Sequence, residues 1–145
     1  VPEEEYIVPI GKADIKKPGT DITLITWSKT LFMVLEVAKE LEEQGISAEV
    51  VDLRSLRPLD EETVLNSVAK TNRAVVIQEQ HRQASYGAFL AHLIMDKAFD
   101  ELDAPVGLVS SLEAPISYSK TLEVVVLPSK ERIHAEVRRV LDGHK

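Results

Sequence analysis

Residues 50–60 read VVDLRSLRPLD and place Arg54 and Arg57 at the end of an apolar run. Paired guanidinium groups suit a carboxylate or a phosphate. The second half of the stretch, however, has the makings of a helix start. Asp60 is a good N-cap, because its carboxylate can accept a bond from an unpaired backbone N–H. Glu61 and Glu62 then fall in the first turn, where each complements the helix dipole by roughly 0.3–1 kcal/mol. Leu59 and Val64 have the spacing of a hydrophobic staple, and Pro58 stiffens the entry. A bound anion would want glycines and open N–H groups here, and the two acids would repel it. Arg54 and Arg57 are therefore expected in salt bridges or a subunit contact.

The densest polar stretch is Gln78-Glu79-Gln80-His81-Arg82-Gln83-Ala84-Ser85, which follows an apolar run. Loops after strands are where α/β proteins place function. Glu79 and His81 could do acid–base work with Arg82 beside them, but a helix-capping or interface loop is the favoured reading. His92, His134 and His144 complete the histidines, and there is no cysteine. With no HExxH pattern, they read as ordinary surface or partly buried residues, His144 in a frayed tail. No GxSxG elbow, GxxxxGK[ST] loop or GxGxxG loop occurs. Nucleophilic catalysis and phosphate cradling thus have no recognisable motif.

The elements that would position these residues alternate. Residues 8–15 read as an edge strand, kept from a sheet centre by Pro9. Residues 21–26 form a buried strand. Leu31, Val34, Leu35, Ala38 and Leu41 then share one helical face, stopped by Gly45. A strand over 48–53, a helix over 60–70, a strand over 74–78 and a helix over 86–99 follow. A strand over 106–110 and a helix capped by Ser129, with Ile133, Val137, Val140 and Leu141 as its stripe, close the chain. Glu123-Val124-Val125-Val126 is open between a strand and a buried loop. Strands alternating with helices predict an α/β fold: a mostly parallel sheet with helices on both faces and 8–15 as an antiparallel edge.

The chain has 145 residues, enough for one domain with its own core. A net charge of −7 and 5% aromatic content argue against polyanion binding and base stacking. No nucleic-acid partner is expected. No apolar run has the length of a membrane span, so no membrane partner is expected either. The opening VPEEEY is acidic and linker-like, and Val1 in place of Met suggests a piece of a longer protein.

Four segments together carry a resemblance: VPIGKADI (8–15), VVDLRSLRPLDEET (50–63), AFDELDAP (98–105) and LPSKERIHAEVRRVL (127–141). They resemble the C-terminal domain of the beta subunit of thiamine-diphosphate-dependent 2-oxo acid dehydrogenases, with pyruvate dehydrogenase (acetyl-transferring) nearest. The DLR-x-L-x-PLD motif also occurs, more loosely, in transketolases and deoxyxylulose-phosphate synthases. The resemblance implies a transketolase C-terminal-like fold: a three-layer αβα domain over 8–145, after a linker at 1–7, with a five-stranded, mostly parallel sheet. It implies that thiamine diphosphate and magnesium belong to the full enzyme and are held outside this chain, which by itself is inactive. It implies three partners: an alpha subunit, a second beta subunit, and the basic subunit-binding domain of the dihydrolipoamide acyltransferase. Asp103, the acid of LDAP, would pair with a basic side chain of that last domain. The cellular place implied is the bacterial cytoplasm or an organelle matrix. Interface surface left open on such a piece points to a homodimer. QEQHRQASYGAF, APISYSKTLE and Thr26-Trp27-Ser28-Lys29 depart from the usual family patterns, which leaves the subclass open.

Overall fold

Three pairs of neighbouring apolar residues, Leu24/Ile25, Val50/Val51 and Val75/Val76, are fully buried. Successive strand residues point to opposite faces, so such pairs require a sheet covered on both sides. The computed structural model describes residues 6–116 and 118–143 and has that arrangement. In chain order, β1 is Asp14–Lys17, β2 Ile22–Thr26, α1 Thr30–Glu43, β3 Ala48–Asp52, α2 Glu61–Thr71 and β4 Ala74–His81. Then come α3 (Tyr86–Lys97), a short 3-10 turn (Phe99–Glu101), β5 (Gly107–Ser111), α4 (Lys120–Val126) and α5 (Lys130–Asp142).

The five strands lie in the order β1-β3-β2-β4-β5. Only β1 is antiparallel, pairing Asp14 with Asp52 and Ile15 with Val51 before its register shifts. The remaining pairs are parallel. Leu24, Val50, Val75 and Ile77 meet Val34, Val37 and Leu41 of α1 and Ile133, Val137 and Val140 of α5. On the other face, Ile25, Val51 and Val76 meet Val64 and Val68 of α2 and Leu90 and Ile94 of α3. The layers are therefore α1/α5, sheet, and α2/α3. No helix among the described residues is long and apolar enough to cross a membrane.

The edge strand is antiparallel as expected but lies at 14–17, not over 8–15. Pro9 brings no N–H to a ladder, and the chain turns at Ile10–Gly11. The Ala13 N–H then goes to the Asp60 carboxylate at 3.0 Å. The helix expected over 86–99 ends at Lys97, and the 3-10 turn takes up Phe99. The open segment at 123–126 is helical. Its backbone is satisfied locally: the Glu123 N–H donates to Ser119 O at 2.8 Å and Leu127 N–H to Glu123 O at 3.1 Å.

Buried polar groups tie the layers together. Glu49 is fully buried in β3 on the α2 side. It accepts from the Ser67 hydroxyl at 2.6 Å and from Lys70 Nζ, both on α2. On the other face, the Glu40 carboxylate of α1 meets His134 Nε2 at 2.7 Å and Lys130 Nζ at 3.0 Å, both on α5. Hydrogen bonds from His134 and then Lys130 hold the Glu40 carboxyl below its usual range.

Candidate functional site

The carboxyl ends of the strands, where ligands bind in open α/β sheets, are bordered here by loops 53–60, 82–85 and 112–116. The first follows β3. The Arg54 guanidinium bonds Asp14 of β1, and its backbone N–H donates to Asp52 Oδ1 at 3.1 Å. Lys16, followed by Arg54, holds the Asp14 carboxyl below its ordinary value. Arg54 is thus in the salt bridge its sequence context suggested. Arg57 is exposed and has no hydrogen-bond or ion-pair partner among the described residues. Asp60 is buried and caps α2: the Thr63 N–H donates to Oδ1 at 3.3 Å and the Thr63 hydroxyl to Oδ2 at 2.8 Å. Burial pushes the Asp60 carboxyl up, but the bonds from Thr63 and Ala13 and the nearby Lys12 outweigh it and leave it lowered.

The strand expected over 74–78 runs on to His81, so Glu79, Gln80 and His81 belong to β4 and the second loop is 82–85, stapled from beneath and from the side. Gln78 is fully buried; its Nε2 donates to Ser85 Oγ at 2.7 Å and to Ser110 Oγ at 3.1 Å. Its Oε1 accepts the Gly87 N–H at 2.8 Å, inside the first turn of α3. A Cβ at Gly87 would lie 2.5 Å from that oxygen, so the approach needs glycine. Ser85 is the N-cap of α3, accepting the Ala88 N–H at 3.2 Å. Glu113 Oε1 accepts the Arg82 N–H at 2.9 Å and the Gln83 N–H at 3.1 Å. His81 Nδ1 lies 2.7 Å from Leu112 O, which as a carbonyl accepts, so Nδ1 carries the proton. Among the described residues no bond joins Glu79 to His81. The loop is geometrically a joint between β4, α3 and the segment after β5, and the acid–base pairing conceivable from sequence is not assembled.

Two apolar grooves flank this edge. One, of about 390 Å³, is lined by Phe32, Met33, Val124, Leu127 and Pro128, with Lys29, Glu36, Glu79 and Lys130 among its polar residues. The other, of about 360 Å³, is lined by Leu56, Leu59, Tyr86 and Phe89, with Arg57 and Glu61. Tyr86 is held by its hydroxyl, which donates to Leu56 O at 2.6 Å, and by Trp27, packed edge-on at 5.8 Å. Phe32 is 71% and Phe89 50% exposed. Aromatic surface left in water in this way is characteristic of contact faces.

Asp103 lies at the opposite, amino end of the sheet. Its backbone N–H donates to Asn72 O at 2.9 Å, fixing it beside the end of α2. Its carboxylate meets the Arg73 guanidinium at 2.7 Å and its side chain is 54% exposed. Asp100 and Glu101 are also exposed here. The sequence marked Asp103 but gave no sign of Arg73 as its neighbour. Glu113 and Glu49 have no place in the sequence reading, and Gln78 enters it only as part of the polar stretch; Glu49, an acid among the apolar residues of AEVVD, is the one that its strand could have flagged.

No group of three or more histidine or acidic side chains able to hold a metal ion converges among the described residues. The Gly87 N–H, in the first turn of α3, is already taken by Gln78.

The family described as "Transketolase, C-terminal domain" matches residues 11–133. The beta subunit of acetoin:2,6-dichlorophenolindophenol oxidoreductase from Bacillus subtilis (strain 168) is 44% identical over 92% of this chain and 39% of its own. The pyruvate dehydrogenase E1 component subunit beta of the same organism is 44% identical over 98% of this chain and 43% of its own. Among solved structures, a split-gene transketolase in an inactive beta4 tetramer superposes with a TM-score of 0.76 at 25% identity, covering 93% of this chain and 44% of that one. The chain thus spans about two-fifths of the length of the curated relatives it matches. A match over this span, on a sheet of this order and with these loops, makes the chain a member of the transketolase C-terminal domain family.

Proposed function

We propose that this chain is the assembly and docking domain of the beta subunit of a thiamine-diphosphate-dependent 2-oxo acid dehydrogenase. In this reading the subunit supports oxidative decarboxylation and acyl transfer to lipoyl groups, while the domain itself performs no chemical step. The observation that carries it is the carboxyl edge, where a loop backbone stapled by Gln78 and Glu113 lies between two open apolar grooves. The identity to pyruvate and acetoin enzyme subunits supports the 2-oxo acid class, with pyruvate as the first substrate to test. Thiamine diphosphate and magnesium would be held by the remainder of the enzyme. The alpha subunit and a second beta subunit would cover the grooves, in bacterial cytoplasm or an organelle matrix.

Asp103 is the proposed contact for the basic subunit-binding domain of a dihydrolipoamide acyltransferase. A chain of net charge −7 also steers a basic partner toward it. Two experiments test the reading. Calorimetry of these 145 residues with thiamine diphosphate and magnesium is expected to show no binding, and tight binding overturns the non-catalytic assignment. In the assembled complex, Asp103→Ala is expected to weaken acyltransferase-domain binding, with a smaller loss at high salt. Unchanged affinity removes Asp103 from the contact.

A further inference from the structure

Arg54 and Arg57 leave the same loop but end differently. The Arg54 guanidinium bonds Asp14, whereas Arg57 is exposed and meets no acceptor among the described residues. The backbone that carries Arg57 is held on both sides. Ser55 Oγ donates to Pro58 O at 2.8 Å, and Leu56 O accepts the Tyr86 hydroxyl at 2.6 Å. Gly11 packs against Pro58, where a Cβ would lie 2.7 Å from Cγ. Arg57 thus has a fixed base, and it lines the groove of Leu56, Leu59, Tyr86 and Phe89. The Tyr86 and Phe89 rings lie 5.4 Å apart, and Phe89 is left half exposed. Glu61, the other charged lining residue, is paired with Lys97. Among the described residues the groove therefore carries one uncompensated charge, and it is positive.

We propose that this groove docks a partner subunit through an apolar side chain seated among Leu56, Leu59, Tyr86 and Phe89, with an adjacent Asp or Glu carboxylate on Arg57. The proposal rests on the reading of the carboxyl edge as a contact face and names the chemistry of what covers it. A guanidinium presents a planar fork that matches a carboxylate. A chain of net charge −7 repels acids as a whole, so an unpaired Arg57 fixes where an acidic group lands. Small-molecule sites enclose most of their ligand, while a groove that leaves Phe89 half exposed suits a segment of a partner chain laid across it. Seating that segment excludes water from the aromatic surface and strengthens the ion pair beside it.

The test uses the full-length subunit in its assembled complex. Arg57→Gln removes no contact made within the described residues, so its melting temperature should hold. Its association with the partner subunits should weaken by about tenfold or more, and that of Arg57→Glu further. The loss should shrink at high salt. Phe89→Ala should weaken association as well. In Arg57→Lys, a zero-length carbodiimide should couple position 57 to an Asp or Glu of another subunit, mapped by mass spectrometry. Weakening by Phe89→Ala with wild-type association in Arg57→Gln and Arg57→Glu overturns the proposal and leaves the contact-face reading standing. Wild-type association in all three overturns both. Coupling to Glu3, Glu4 or Glu5 of the same chain, or no coupling at position 57, also overturns the proposal.

Discussion

At the scale of single residues, the same side-chain types take different roles according to what surrounds them. Asp60 and Asp103 are both acids beside α2. Asp60 is buried and accepts bonds from Thr63 and Ala13, while Asp103 is half exposed and meets Arg73. Asp60→Ala should cost about 1–2 kcal/mol in chemical denaturation, the usual loss for a helix cap. Its folded carboxyl is lowered, so its contribution is complete above the ordinary aspartate value of about 3.9 and declines as pH falls through the lower folded value. The acid limb of the stability profile should therefore flatten in Asp60→Ala. Arg73 competes with any basic partner for Asp103. On the proposed docking reading, Arg73→Ala should tighten acyltransferase-domain binding, read by calorimetry at low salt. Gly87→Ala forces a Cβ onto a fully buried amide oxygen and should cost about 1–3 kcal/mol, the range for overpacking.

At the scale of elements, the helices are held to the sheet by apolar stripes and by a few buried polar bonds. The stripes were legible in the sequence. Val34, Ala38 and Leu41 in α1, and Ile133, Val137 and Val140 in α5, are all buried where a 3.6-residue period puts them. The α2 start was equally legible, because a cap and its partner lie three residues apart. The bonds of Gln78, Glu113 and Glu136 were not legible. Their partners sit on other elements, such as Ser110 for Gln78 and Leu108 for Glu136, and no local pattern marks a contact across that distance in sequence. The edge strand shifted for a related reason: its start depends on where Asp60 captures Ala13. For α2 on β3, Lys70→Ala leaves the buried Glu49 carboxylate with Ser67 and the Gly19 N–H alone. A loss of about 1–3 kcal/mol is expected in urea unfolding, the cost of an under-satisfied buried acceptor.

At the scale of the whole molecule, exposed apolar surface and charge divide the domain. Phe32, Leu122, Val124 and Val125 are each more than half exposed. These residues are expected to drive association of the isolated chain, so Phe32→Glu with Val124→Glu should lower its mass in sedimentation without lowering its melting temperature. Asp103 and the grooves lie at opposite ends of strands about 17 Å long, the span of five residues. The sheet is thus a strut between two faces that do not overlap. On the proposed reading, the subunit on the grooves and the partner at Asp103 dock at opposite ends of the sheet, so every chain carries its own docking point and an assembly of several copies presents its targets in parallel.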